Sequence, residues 1–361
     1  MIQAPVHVVY GGAHLFKSDT PHKLSRLAQR TFEAHTPTPQ ALSEVLGIDA
    51  GQEVFERVRH KLQNAVEDFR IDFEDGYGIR SDAEEDKDAE AAGLAVRTVD
   101  CPFIGLRTKR FFGATEARAR RTLEIFTKAL GPTTKRITVT LPKVMHTSEV
   151  AAAAKATAFD LELMVETKEA LVMHDRFALP ALIAACEGRC TSVHFGAYDF
   201  LSAHDVAASE QRLDHPLCDR AKELMLLQTN VRVSDGATNF LPVGDDATVK
   251  KGLKLHAQNV RRALATGIYQ GWDLHPAQCV ARYGALYAFF LQNKDATVAR
   301  LKRFVETAAH ARVVGGVFDD AATALGLVSF LLRGYDAGAF AEHELGLPLA
   351  KLRTRDFTQM I

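Results

Sequence analysis

No run of about 18 apolar residues occurs in this chain, so no membrane-spanning helix is expected. The first twelve residues, MIQAPVHVVYGG, have no basic segment followed by a long apolar one, so a signal peptide is not expected and the cytoplasm is the default location. A basic excess is also missing. The 44 Lys and Arg balance 45 Asp and Glu, which argues against nucleic acid or an anionic membrane as the main partner. Cysteine is scarce: Cys101, Cys186, Cys190, Cys218 and Cys279 are odd in number. The close pair Cys186 and Cys190 has three intervening residues, which fits reduced thiols better than a disulfide framework or a zinc knuckle. Several catalytic signatures are absent as well. No G-x-G-x-x-G follows a strand and no G-x-x-x-x-G-K-[ST] occurs, which removes the usual nucleotide fingerprints. Nor is there an H-E-x-x-H, or the G-x-S-x-G elbow of serine hydrolases. The acidic stretch Asp82–Asp88 lacks EF-hand spacing and reads as a solvated helix start.

What is present is a soluble-type composition, 47% hydrophobic and 25% charged, with ample material for a core over 361 residues. Short apolar runs alternate with helical patterns. Strands are expected at Val6–Tyr10, Phe69–Phe73, Phe103–Leu106, Ile137–Leu141, Leu161–Val165, Ser192–Phe195, Val231–Val233 and Trp272–Leu274. Eight such units match an α/β architecture, the (β/α)₈ TIM barrel, whose usual size is around 250 residues. A helical pair (Ser25–Ala34 and Gln52–Glu67) is inserted between the first two strands, with Thr36–Pro39 as a turn. Asp175–Cys186 reads as helix, a single long helix is expected from the sixth strand to near Leu227, and the part from Pro276 on reads as helical almost throughout. The expected organisation is a barrel over residues 1–290 and a C-terminal helical extension over 291–361.

In a parallel barrel the chemistry sits at the C-terminal ends of the strands. The polar residues that follow the apolar runs are therefore the candidates. They are Asp72, Glu74 and Asp75 in RIDFEDGYG, Arg107 in FIGLRTKRF, Lys143 in VTLPKV and Glu166 in ELMVET. Asp199 in VHFGAYDF, Asp235 in VRVSDG and His275 in GWDLHPAQ complete the set. Each has a plainer reading. Glu166 suits a helix N-terminal charge, Asp199 a helix cap, Arg107 a basic rim, and His275 a strand cap. Together they make a different pattern. Glu166 and Asp199, one βα unit apart, suit a hard divalent cation with oxygen ligands. Arg107 supplies a planar donor fork for a carboxylate or an enolate oxygen. Such a set can hold a 2-oxo acid and stabilise the enolate formed when a C–C bond breaks. Period-two alternation would put Asp72 and Glu74 on one face and Asp75 on the other.

Six of these motifs, in order over residues 72–278, resemble those of the HpcH/HpaI aldolase and citrate lyase β-subunit superfamily. RIDFEDGYG is similar to its D-L-E-D-[AG]-V element, GLRTKRF to V-R-[IV]-N, LPKV to L-P-K-[VI], and LELMVET to L-x-x-x-[IL]-E-[TS]. VHFGAYDF and GWDLHPAQ resemble its G-x-x-D-[LFY] and G-x-x-x-I-H-P-x-Q elements. The branch most resembled is sometimes labelled phosphoenolpyruvate kinase-like. The resemblance implies a phosphoenolpyruvate- or pyruvate-binding barrel with Mg²⁺ (or Mn²⁺), a homo-oligomer (trimer or hexamer), and a small-molecule substrate, a 2-oxo acid or an acyl compound such as a CoA thioester. It also implies Glu166 and Asp199 as metal ligands and Arg107 as the carboxylate or enolate binder. Asp72, Glu74 and Asp75 would be the acidic group near the metal waters, and Asp72, Lys143 and His275 substrate contacts. Thr108 and Lys109 stand where acyl-CoA lyases usually place Asn, which weighs against CoA. Asp319 and Asp320 are the extension's best match to a lid aspartate.

The resulting expectation is a Mg²⁺-dependent carbon–carbon lyase or aldolase. Its competitors are a phosphoenolpyruvate- or pyruvate-dependent phosphotransferase and a non-catalytic ligand-binding barrel. The base that takes a substrate hydroxyl proton is expected in the Asp72–Asp75 cluster, ahead of Asp235, His275 or the extension aspartates.

Overall fold

The computed structural model describes residues 4–173, 175–306, 312–314, 317–319 and 321–355. Eight parallel strands close into a barrel. They are β1 (His7–Gly12), β2 (Asp68–Asp72), β3 (Phe103–Arg107), β4 (Ile137–Leu141) and β5 (Asp160–Val165), followed later in the chain by β8 (Cys190–Phe195), β9 (Arg232–Ala237) and β10 (Gln270–Asp273). Two antiparallel pairs stand outside it: β6 (Val172–Met173) with β7 (Arg176–Phe177), and β11 (Arg312–Val314) with β12 (Val317–Asp319). The expected TIM barrel is therefore present.

Alternation along the strands explains how the barrel fills. Residues such as Ile71, Val139, Leu163 and Val193 point outward and are buried under the helices. The inward positions are mostly polar. Glu162 accepts hydrogen bonds from Arg70 (3.0 Å), Thr140 (2.7 Å) and Ser192 (2.8 Å), and His194 Nε2 lies 2.8 Å from it. Burial opposes charge on Glu162, but Arg70 and His194 outweigh it and hold the carboxyl well below the usual range. The interior is thus an ion-pair network where aliphatic layers are common.

The insertion between β1 and β2 has three helices, Thr20–His35, Pro39–Leu46 and Gln52–Lys61, and not two. Pro39 starts a helix because Thr38 caps it, accepting from the Ala41 N–H, and proline is favoured in a first turn. These helices share a second core with Gln278–Glu306 and Ala321–Asp336, built on Phe32, Leu42, Tyr283, Phe290 and Leu331. Gln278–Glu306 is one continuous helix across position 290. At the end of β10, Asp273 is fully buried and accepts from His256 (2.8 Å) and Arg282 (2.6 Å), with His7 Nδ1 at 2.7 Å. That set pins the last strand to the first strand and to the outer helices.

Other boundaries differ from expectation. Asp175–Cys186 is not one helix: Asp175 takes φ 59, the chain reverses as β6–β7, and the helix is only Leu179–Ala184. Pro180 does sit in its first turn. The single helix expected after β8 is two, Ala197–Ser202 and Pro216–Gln228, interrupted where Asp205 takes φ 55. No helix among the described residues is long and apolar enough to cross a membrane.

Candidate active site

The β2–β3 register sets Asp72 directly opposite Arg107. Both are buried, 1% and 2% exposed in their side chains, and they form a two-pronged ion pair. Arg107 Nε donates to Asp72 Oδ1 at 2.7 Å and Nη2 to Oδ2 at 2.5 Å. Asp72 also accepts the N–H groups of Glu74 (3.0 Å) and Gly76 (2.8 Å), which fixes the turn after β2. The guanidinium lies over the rings of Tyr10 (5.0 Å) and Trp272 (5.5 Å), and Nη1 is 3.8 Å from Met164 Sδ. A planar cation held by a fork and stacked on two rings has little freedom to turn. Arg107 is therefore no rim residue.

Nη1 of Arg107 faces Glu74, 3.3 Å away, and Asp75, 3.8 Å away. Lys143 Nζ contacts the same two carboxylates at 2.6 and 3.1 Å, and Asp199 at 3.8 Å. The expected alternation of Asp72 against Asp75 fails here. The strand ends at Asp72, so period two does not continue through the turn, and Glu74 and Asp75 meet the same lysine. Asp72 faces Arg107 instead of the acidic pair. Burial raises the Glu74 carboxyl above its ordinary value despite Arg107. Burial also opposes charge on Asp75, but contacts with Glu74 and Lys143 outweigh it and hold that carboxyl low.

Glu166 follows β5 with no helix starting there, so it is not a helix N-terminal charge. It is 1% exposed, and its Oε2 accepts the Lys143 N–H at 2.7 Å. Oε1 has no hydrogen-bond partner among the described residues. Burial pushes its carboxyl up to about 7, with Arg107 opposing and Asp199 adding to the rise. Asp199 sits in the first turn of Ala197–Ser202, 46% exposed, and Gly196, not Asp199, is the cap. Lys143 thus links Glu166, through its N–H, to Glu74, Asp75 and Asp199, through its ammonium.

Gly196 is required by this arrangement. A Cβ there would lie 2.3 Å from Glu166 Cγ and 2.5 Å from Oε1. Gly196→Ala is expected to displace the Glu166 carboxylate and weaken divalent-ion binding, at a stability cost of about 1–3 kcal/mol. Calorimetric titration with Mg²⁺ beside a thermal melt checks this; unchanged affinity would mean that Glu166 does not need its observed position.

Two sequence candidates lie apart from the cluster. Asp235 is inside β9, not after it, and is buried in an ion pair with Lys222 of the outer helix Pro216–Gln228 (3.1 Å). His275 accepts the Ala277 N–H at 3.2 Å, in the turn after β10, and shows no contact with the acidic cluster. Asp319 ends β12, and Asp320 lies outside the described residues. Sequence reasoning missed Tyr10, Met164 and Trp272, which carry no polar strand-end signal.

A family model described as Domain of unknown function (DUF6986) matches residues 2–360. The chain belongs to this family. No curated protein matches the sequence. Among solved structures, the chain is similar to a citrate lyase from Burkholderia xenovorans LB400, at 20% identity, 95% coverage of each chain and a TM-score of 0.66. It is also similar to the CitE protein of Mycobacterium tuberculosis in complex with magnesium, acetoacetate and coenzyme A. That match has 16% identity, a TM-score of 0.59 and covers 94% of this chain and 100% of the other. This DUF6986 member thus shares the fold of these citrate lyase and CitE structures.

Proposed function

We propose that this protein is a Mg²⁺-dependent carbon–carbon lyase acting on a 2-oxo acid or an acyl compound. The observation that carries the reading is one cluster: Arg107 clamped by Asp72, facing Glu74 and Asp75, with Lys143 joining them to Glu166 and Asp199. The magnesium and acetoacetate of the CitE structure fit the same reading.

The donor set suits a hard cation. Glu166 has a free carboxylate oxygen in a buried place, and the Lys143 ammonium already supplies positive charge between Asp199 and the Glu74–Asp75 pair. Glu166 and Asp199 would hold the ion, which when bound supplies Lewis-acid polarisation of the substrate oxygens. The protein's own groups do the rest. Arg107 donates to the substrate carboxylate or enolate oxygen, and Asp72, Tyr10 and Trp272 fix its direction in advance, so no reorganisation is needed as charge develops. Glu74, raised by burial, takes the substrate hydroxyl proton, because a raised carboxylate is the stronger base. Contacts with Glu74 and Lys143 hold Asp75 low, which leaves Glu74 the stronger base of the pair. The barrel of residues 1–290 carries all of these groups.

The test is Mg²⁺-dependent release of pyruvate or another 2-oxo acid from a panel of 2-oxo acids and hydroxyacyl compounds. Glu74→Gln keeps the shape and removes the acceptor, and should lower turnover by about 10²–10⁴-fold. Full turnover in Glu74→Gln would move the base elsewhere. No metal-dependent cleavage of any compound, with Mg²⁺ bound, would favour a ligand-binding barrel.

A further inference from the structure

The opposite end of the barrel carries a second cluster that the lyase reading does not use. Arg232 begins β9 and pairs in register with Ser192, whose hydroxyl reaches Glu162, so Arg232 also belongs to the inward row. It lies at the N-terminal face, away from Glu166 and Asp199. There a cavity of about 120 Å³ opens between the barrel and the helix Ala321–Asp336, lined among others by Val6, Leu226, Arg232, Tyr269, Gln270 and Arg333. With about 30 Å³ per water, that is room for roughly four waters, or one small anion.

The donors around this cavity are not matched by acceptors. Nearby arginines are occupied: Arg70 by Asp68 and Glu162, Arg136 by Asp160, Arg189 by the carbonyls of Ala154, Thr157 and Phe159. Arg232 is not. Its Nε donates to Gln270 Oε1, and among the described residues no carboxylate lies within ion-pair distance of it. Arg333 likewise has no carboxylate partner there and rests over the Tyr269 ring at 5.3 Å. Gln270 accepts through Oε1, and its buried Nε2 donor has no hydrogen-bond partner among the described residues. Asp336, the one acid on the lining among the described residues, is engaged by Arg353 at 3.1 Å. Burial, with Arg70 and Arg333 adding to it and Glu162 and Asp68 opposing, pulls Arg232 below the ordinary arginine value. A half-buried guanidinium and a buried amide without acceptors both cost free energy that an anion would offset.

We propose that this cavity binds a small oxyanion, a carboxylate or a phosphate, held by Arg232, Arg333 and Gln270. Apolar walls at Val6 and Leu226 leave room for a short hydrocarbon part beside the charged head. The site is separate from the lyase cluster, and it stands or falls independently of that reading.

The test is a thermal melt of the full chain titrated with inorganic phosphate and, separately, with butanoate, against sodium chloride of equal ionic strength. A ligand that binds only the folded state raises Tm as it saturates the site. The expected result is a saturating rise with one or both anions in the wild type and equally in Arg107→Lys, lost in Arg232→Gln and in Arg333→Gln. Phosphate alone, butanoate alone, or both identify which oxyanion the site prefers. Arg333 is exposed, so Arg333→Gln carries the comparison even if Arg232→Gln fails to fold. No saturating rise with either anion overturns the proposal. So does a rise that survives Arg333→Gln, or one that disappears in Arg107→Lys.

Discussion

Replacing Arg107 by lysine is expected to lower kcat/KM for Mg²⁺-dependent cleavage by about 10²–10³-fold, the scale of losing one transition-state donor. Lysine keeps the charge but not the fork. Arg107 spends Nε and Nη2 on Asp72 and turns Nη1 toward Glu74, so a single ammonium cannot both satisfy Asp72 and reach the substrate. Lysine is also the right probe for stability reasons. Arg107→Ala would strand a 1%-exposed Asp72, a loss of about 3–5 kcal/mol that would confuse folding with catalysis. Steady-state kinetics on the best substrate of the panel, with circular dichroism as the folding control, decides the matter. Undiminished turnover in a folded Arg107→Lys would leave Arg107 a purely structural partner of Asp72.

Glu166→Gln is expected to weaken Mg²⁺ binding by about 10²-fold or more, because changing even an outer residue of a metal site costs 10–100-fold. The wild type should also show a pH dependence that this variant lacks. Without metal, the Glu166 carboxyl is pushed up to about 7 by burial. A raised folded-state value means that the neutral form favours the fold. Its contribution is complete below the ordinary carboxylate range and is lost as pH rises through about 7. Cation binding has the opposite sign, since the ligand must be deprotonated. Mg²⁺ affinity should therefore climb as pH rises and level off above about 7, with proton release on binding below that point. Calorimetric titrations in buffers of different ionisation enthalpy measure both. A pH-independent affinity, unchanged in Glu166→Gln, would place the ion on other residues.

Strand ends were the most legible part of the chain because each combines an apolar run with an abrupt polar residue. Arg107, Lys143, Glu166 and Asp199 were found this way, and the structure gathers them. What was not legible depends on contacts between distant strands. Asp72 reads as one of three adjacent acids, yet the β2–β3 register makes it the clamp of Arg107. Tyr10 and Trp272 read as ordinary core residues of the first and last strands. Only closure of the barrel, which pairs β1 with β10, brings their rings together at 4.4 Å under the guanidinium. The helical misreading of Asp175–Cys186 has a local cause. Its apolar spacing permits a helix, but Asp175 at positive φ reverses the chain first. The ion-pair network inside the barrel was visible only as alternation, as in Arg70–Ile71–Asp72, where nothing says which face turns inward.

The most direct measurement is a crystal soaked with Mg²⁺ and oxalate, a stable mimic of a 2-oxo acid enolate. The account predicts one ion held by Glu166 and Asp199, with oxalate completing its shell and accepting from Arg107. Oxalate bound away from Arg107, or an ion that ignores both carboxylates, would contradict it.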